Sequence, residues 1–127
     1  MKKEIYTDQA PGAVGPYSQA VRTGNLLFTS GQVALDPSTG KLIKGDIKAQ
    51  VRQVMENLGA ILNAGGADFS KVVKATVFLE DIKDFGSVNE IYGSFFSSAP
   101  PARSAFQVAA LPLGAKVEIE MIAEVEG

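Results

Sequence analysis

The sequence contains neither cysteine nor histidine. Without cysteine, the chain can form no disulfide and can use no thiolate as a nucleophile. Without histidine, it lacks the commonest transition-metal ligand and the commonest general base near neutral pH. Zinc sites, Ser-His-Asp triads and Cys-His dyads are therefore excluded. Any catalysis must come from carboxylates, arginine, lysine, tyrosine, hydroxyls or backbone groups, and we expect no metal site.

A positive charge excess and a long apolar run are missing as well. Lys and Arg number 12 against 14 Asp and Glu, a net charge of −2, whereas nucleic-acid-binding domains are typically basic. Polar residues follow Met1, and no apolar run is long enough to cross a bilayer. Neither Gly65-Gly66 nor the surroundings of Gly31 match a phosphate-binding loop, so no cofactor is expected. We expect a cytoplasmic protein that binds neither nucleic acid nor membrane.

The 127 residues, 46% of them hydrophobic, suffice for one domain with a real core. We predict a single domain over residues 1–127. The element order βββαβαββ predicts an α+β fold, a sheet whose one face is covered by two helices. The sequence pattern does not locate one of the three strands that precede the first helix. The other predicted elements are strands 17–22, 26–30, 72–79, 103 to about 110 and 116–126, and helices that begin after caps at Asp46 and Asp84.

Periodicity supports these elements. Apolar residues alternate with glutamates from Val117 to Val125, which predicts a strand with one buried face. Strand 72–79 alternates too, and predicts a buried face made of Val73, Ala75, Val77 and Leu79. The first helix is expected to end at Gly65-Gly66, where glycine can adopt the left-handed conformation.

The second face of the sheet is predicted to be half apolar. By alternation this face carries Lys74, Thr76, Arg103 or its neighbours, Glu118 and Glu120, but Phe78 and Ile122 interrupt the polar pattern. Because both helices are used on the other face, another subunit is expected to cover this one.

Arg103 and Glu118 are the strongest candidates for chemistry. Arg103 follows Pro100-Pro101-Ala102, a stiff mount for a guanidinium that clamps a carboxylate with two hydrogen bonds. Taken alone, such an arginine at the start of a strand is more often part of a surface ion pair. Glu118 points away from the core, where it could hold a water or accept a proton, although a solvated strand face is the common reason for such a glutamate.

The spacing of the last two strands separates these two candidates. A short link centred near Leu113 would place Glu118 level with about residue 108 and Arg103 level with about residue 123. This predicts an offset of five residues, roughly 16 Å. The two side chains could then share a small-molecule site only across a subunit boundary.

Three further polar residues lie where a ligand could reach them. Tyr17 and Ser30 are predicted at strand ends beside Gly15 and Gly31, where backbone N–H groups can approach a ligand. Asn89 lies at the margin of the apolar stripe of the second helix. Ordinary packing, turn and boundary roles explain each of them as well.

Several motifs together are characteristic of one family. The sequence resembles the Rid family of reactive intermediate deaminases, and within it the RidA subgroup, over essentially its whole length. The motifs that carry the resemblance are Gly15-Pro16-Tyr17-Ser18-Gln19-Ala20, Thr29-Ser30-Gly31-Gln32, Val88-Asn89-Glu90-Ile91-Tyr92, Pro101-Ala102-Arg103-Ser104 and Val117-Glu118-Ile119-Glu120.

The resemblance implies a chorismate-mutase-like fold with a six-stranded mixed sheet, a homotrimer and clefts between neighbouring subunits. It implies hydrolysis of 2-imino acids such as 2-iminobutanoate and 2-iminopropanoate, formed from enamines that pyridoxal-phosphate enzymes release, to 2-keto acids and ammonia. Arg103 would bind the substrate carboxylate and Glu118 would position the attacking water. The remaining substrate-binding residues implied are Tyr17, Ser30, Gly31 and Asn89.

The chain departs from the family pattern at one position, and two other functions compete with imine hydrolysis. Family members often carry cysteine where this chain has Ala105, so thiol-based activities are not expected of it. The leading alternative is a non-catalytic trimer that senses keto acids or other small carboxylates, which would need Arg103 but not Glu118. Action on RNA, claimed for some relatives, conflicts with the acidic net charge.

Overall fold

One mixed sheet of six strands organises the molecule. The computed structural model describes residues 1–126, and Gly127, the last residue of the predicted domain, lies outside them. The strand order is β1-β2-β3-β6-β4-β5, and all neighbours are antiparallel except the parallel pair β4 and β5. The elements are β1 (Lys3–Ile5), β2 (Ala20–Thr23), β3 (Leu26–Thr29), α1 (Ile47–Ala64), β4 (Val72–Leu79), α2 (Phe85–Gly93), β5 (Ala102–Gln107) and β6 (Val117–Glu124).

Both helices pack on the same face of this sheet, as predicted. Strand β6 carries the predicted alternation, with Val117, Ile119 and Met121 buried against the helices. From α1, Leu58 and Leu62 complete this core and are fully buried. Each such aliphatic side chain contributes about 1.5–3 kcal/mol relative to an exposed one. The predicted α+β class is confirmed.

Helix α1 begins and ends where the sequence predicts. The Asp46 carboxylate accepts a hydrogen bond from the backbone N–H of Ala49 at 3.0 Å, which satisfies a donor of the first turn. At the other end, Gly66 has a φ of 88°, a left-handed conformation that costs glycine little. No helix of residues 1–126 is both long and apolar enough to cross a membrane.

Strand β4 corrects the predicted buried face. Its pairing with β6 shifts register between Val72 and Lys74, so Val72 is buried and Val73 is 39% exposed. The prediction that Val73 belongs to the buried face was therefore wrong. A bulge adds one residue to a strand and reverses the alternation beyond it, which periodicity alone does not reveal.

Several predicted bounds also differ. Asp84 makes no capping bond to α2; instead Asp81 accepts from the N–H of Lys83 at 2.9 Å, at the preceding 3₁₀ turn. Strand β5 ends at Gln107, whose side chain accepts from the N–H of Ile82. Strand β2 begins only at Ala20. The strand without predicted bounds is β1, which has three residues and one buried side chain.

The face of the sheet opposite the helices is half apolar, as predicted. The rings of Phe78 and Phe106 meet edge to face with centroids 5.3 Å apart, and Phe28 pairs with Ile122 across β3 and β6. Phe106 is 45% exposed. No helix among the described residues packs on this face, which leaves a mixed surface suited to another polypeptide.

Candidate functional site

A bulge between β3 and β6 shapes the first part of the site. Phe28 pairs with Ile122 and Gln32 with Ile119, so the three residues 29–31 lie opposite the two residues 120–121. The Thr29 hydroxyl accepts from the N–H of Met121 at 2.9 Å, in place of a backbone acceptor. The Ser30 N–H still donates to the Gln19 carbonyl at 2.9 Å, whereas the bulge leaves Gly31 without a partner residue in β6, at the edge of a cavity.

This cavity collects four of the predicted site residues. Its volume is about 380 Å³, within the usual range for small-molecule sites. Tyr17, Ser30, Gly31 and Glu118 form its polar lining. The remaining lining residues form an apolar wall: Val14, Val33, Leu35, Pro112 and Leu113.

Glu118 contributes a carboxyl group to the cavity lining. Burial raises the pKa of its carboxyl above the ordinary value, and repulsion from nearby Glu120 adds to the effect. A raised pKa makes the carboxylate a better proton acceptor near neutral pH. Gly31 makes room for it, since a Cβ at that position would collide with the carboxylate. The site therefore couples a glycine backbone directly to a basic carboxylate.

Ser30 and Tyr17 contribute in specific ways. The Ser30 hydroxyl donates to the carbonyl of Ser18 at 2.6 Å, so towards a ligand it can act only as an acceptor. Tyr17 is 50% exposed at the cavity mouth, and its hydroxyl accepts from the N–H of Val14 at 3.4 Å. Its phenolic O–H remains available to donate to a bound molecule.

Gln19 supports this wall, and sequence reasoning did not single it out. Its buried side chain accepts from the N–H of Thr7 at 2.7 Å and donates to the carbonyls of Thr7 and Pro11 at 3.0 and 2.8 Å. It thereby ties segment 7–11 to the start of β2. The available signal was a polar side chain inside a motif otherwise read as ligand-binding.

Gln19→Leu is expected to destabilise the protein by about 1–3 kcal/mol, because the substitution leaves buried backbone groups without partners. Chemical denaturation measures this loss, and hydrogen exchange at Thr7 should accelerate. Gln9→Leu is the matched control, since Gln9 is exposed. Equal stabilities of the two variants would contradict the assigned role of Gln19.

Asn57 is a second residue that the sequence did not reveal. It lies on the buried side of α1, where its Nδ2 donates to the carbonyl of Leu35 at 2.9 Å and its Oδ1 accepts from Gln53. A satisfied buried amide of this kind fixes the position of its acceptor. The helix thus holds the cavity wall at Leu35. An amide within an apolar helical stripe was the signal.

Arg103 and Asn89, the two remaining predicted site residues, lie outside this cavity. Arg103 is level with Ala75 in β4, which is level with Met121 in β6, and it therefore points to the helix side of the sheet. Of the residues predicted for the open face at this strand, Arg103 or its neighbours, the structure places Ser104 there, level with Thr76. There its Nη1 donates to Oδ1 of Asn89 at 2.7 Å. Ala105, two residues further along β5, packs partly buried against the core.

Glu118 lies on the opposite face from Arg103. It is level with Phe78 and, through β4, with Phe106. The offset from Arg103 is thus three residues, about 10 Å along the strands and about 10 Å across them. The predicted five-residue offset was wrong, because the registers of β5 and β6 through β4 are centred on Pro112, one residue before Leu113, and each residue of displacement changes the offset by two. Within one chain the sheet separates the two side chains.

Comparisons with known proteins agree with this architecture. A family model described as Endoribonuclease L-PSP matches residues 7–125. Protein DfrA of Myxococcus xanthus is 56% identical, covering 96% of this chain and 95% of its own. The 2-iminobutanoate/2-iminopropanoate deaminase of Mus musculus is 54% identical, with coverages of 97% and 91%. The crystal structure of RidA from Psychrobacter sp. PAMC 21119 superposes with a TM-score of 0.93 at 50% identity, with coverages of 97% and 99%.

Proposed function

Because this chain belongs to the Rid family, the family of the Endoribonuclease L-PSP model, we propose that it is a deaminase that hydrolyses 2-imino acids to 2-keto acids and ammonia. Relatives that carry the name 2-iminobutanoate/2-iminopropanoate deaminase support this activity. The observation that carries the proposal is the cavity in which Gly31 admits a Glu118 carboxylate with a raised pKa.

Glu118 orients and activates the attacking water. As the water oxygen bonds to the imine carbon, the C=N electron pair moves to nitrogen and one water proton passes to the Glu118 carboxylate. From the iminium this gives an amino alcohol, and the proton on Glu118 then goes to its nitrogen. The C–N bond breaks, ammonia leaves, and the hydroxyl proton passes to the Glu118 carboxylate as the carbonyl forms; ammonia then takes this proton and regenerates the carboxylate. The carbon is already electrophilic, so orientation contributes most of the acceleration.

Tyr17, Ser30 and Gly31 bind the reacting end of the substrate in this proposal. The Gly31 backbone and the Tyr17 hydroxyl are hydrogen-bond donors beside Glu118, and the Ser30 oxygen accepts from the iminium N–H. The apolar wall around Leu35 and Leu113 receives the substrate side chain.

Arg103 binds the substrate carboxylate and comes from a neighbouring subunit. Its separation from Glu118 by the sheet supports a site shared between two chains, and the half-apolar open face supports burial in a homotrimer. Asn89 acts on the substrate end through Arg103, whose guanidinium it holds. A pyridoxal-phosphate enzyme that releases enamines would supply the imine, in the cytoplasm.

The activity test generates 2-iminobutanoate in situ with an amino-acid-consuming enzyme and follows the keto acid. We expect acceleration by the protein, and a KM about 10- to 100-fold higher for Arg103→Ala, since two charge-assisted hydrogen bonds are lost. Arg103→Lys retains only the charge, so its KM should lie between that of the wild type and that of Arg103→Ala. Keto-acid binding without acceleration would favour the sensing function, and salt-dependent RNA cleavage would favour a ribonuclease.

Subunit mixing tests the shared site. At substrate concentrations well below KM, Arg103→Ala and Glu118→Gln are each expected to be strongly impaired alone, and co-refolding at equal amounts should restore intact residues to about one quarter of the sites. No recovery from mixed oligomers would contradict sharing between subunits.

A further inference from the structure

Helix α2 presents a stripe of three residues to Arg103. Phe85, Asn89 and Tyr92 are spaced i, i+4 and i+7, which places them on one helical face. The Arg103 Cζ lies 5.2 Å from the centroid of the Phe85 ring and 5.0 Å from that of Tyr92. With the 2.7 Å hydrogen bond to Asn89, the guanidinium is held by two rings and one amide.

These contacts are all electrically neutral. Within residues 1–126 no Asp or Glu carboxylate lies within 4.0 Å of Arg103, whereas Lys48 pairs with Glu90 and Lys71 with Glu126. A carboxylate neighbour would neutralise the guanidinium and compete with an incoming anion, but aromatic faces and an amide leave its charge intact. Nη1 is used by Asn89, while Nε and Nη2 make no hydrogen bond within the described chain. That pair of nitrogens is the edge that matches a carboxylate in two parallel bonds.

We propose that Phe85 and Tyr92 are positioning residues of the deaminase, whose rings orient the Arg103 guanidinium so that its Nε–Nη2 edge meets the substrate carboxylate. This inference rests on the proposed function, in which Arg103 binds that carboxylate. Preorganisation of this kind lowers the conformational cost of substrate binding, so its effect falls on KM and on keto-acid affinity more than on kcat.

The Tyr92 ring also packs against other aromatic rings. Its centroid lies 4.9 Å from that of Phe96, which meets Phe69 edge to face at 5.7 Å. The Tyr92 hydroxyl is buried without a hydrogen-bond partner in residues 1–126, and burial raises its pKa, an effect that Arg103 opposes. Tyr92 is therefore neutral at neutral pH, and the ring carries the interaction with Arg103.

The test compares variants that remove a ring with variants that keep it. Tyr92→Leu is expected to raise KM and the Kd of 2-ketobutyrate about three- to tenfold, with kcat changed less than about twofold. Tyr92→Phe keeps the ring, so its KM and its Kd for 2-ketobutyrate should equal those of the wild type. Phe85→Leu, at a position that is 36% exposed, is a second variant that should fold and show the same pattern. Phe69→Leu is the structural control, because Phe69 belongs to the aromatic cluster but not to the contacts of Arg103.

Each outcome is informative. The inference is supported if Tyr92→Leu and Phe85→Leu raise KM while Phe69→Leu does not. In a protein that already carries Arg103→Ala, adding Tyr92→Leu or Phe85→Leu should then leave KM unchanged. Equal KM values for all ring variants while Arg103→Ala still weakens keto-acid binding would overturn it. If Arg103→Ala leaves keto-acid binding unchanged, the proposed role of Arg103 itself fails.

Discussion

Glu118→Gln is expected to lower the kcat for imine hydrolysis by about 10²- to 10⁴-fold, the usual contribution of a positioned general base. Glutamine keeps the shape and can still hold a water, but it cannot take the water proton. Keto-acid affinity should change little, because Arg103 is intact. Keto-acid formation from imine generated in situ measures the first effect, and titration calorimetry the second. A variant with wild-type kcat would show that Glu118 takes no proton.

The pH dependence follows from the same carboxyl. Burial raises its pKa above 4.5 in the folded protein, so the folded state binds this proton more tightly than the unfolded chain. Its contribution to stability is therefore fully present below pH 4.5 and is lost as the pH rises through the raised pKa. Activity needs the ionised form and should fall as the pH drops through the same range. Glu118→Gln should remove both dependences, and at neutral pH its Tm should equal or exceed that of the wild type.

Gly31→Ala is expected to lower kcat/KM by about 10²-fold, because the new methyl group displaces the Glu118 carboxylate and misplacement by about 1 Å costs that much in rate. The free energy of unfolding should change less than the rate, because the only atoms displaced belong to the Glu118 side chain. Steady-state kinetics and chemical denaturation measure the two effects.

Gly12→Ala is the matched control for that substitution, since a Cβ at Gly12 meets nothing within 4 Å. It should retain activity and stability. If Gly31→Ala were as active as Gly12→Ala, the close approach of the Gly31 backbone to Glu118 would have no catalytic role.

Much of the fold could be predicted because local signals and burial agree. Strand β6 alternates without interruption, and α1 has a cap at Asp46, an apolar stripe and a terminal glycine. Prediction failed where pairing between strands decides the outcome. The β4 bulge moved Val73 outwards, and β1 is too short to show a period.

The site was predictable in part. Tyr17, Ser30, Gly31 and Glu118 were named from their motifs, and the structure gathers them around one cavity. The support from Gln19 depends on side-chain contacts between distant segments, which a single sequence does not show. The face of Glu118 follows from the alternation of β6, but its offset from Arg103 depends on how β5 and β6 are registered through β4, and register is a property of the whole sheet.

The separation of Arg103 from Glu118 by the sheet has a consequence for how activity develops in time. On the shared-site arrangement proposed above, a newly folded chain has its core and its secondary structure but no complete catalytic centre. Folding is then a first-order step and activation a later step that depends on encounters between chains. Activity regained after dilution from denaturant should lag behind the circular dichroism signal, with a delay that shortens as protein concentration rises. In a cell, deaminating capacity would grow more steeply than the amount of protein when that amount is low.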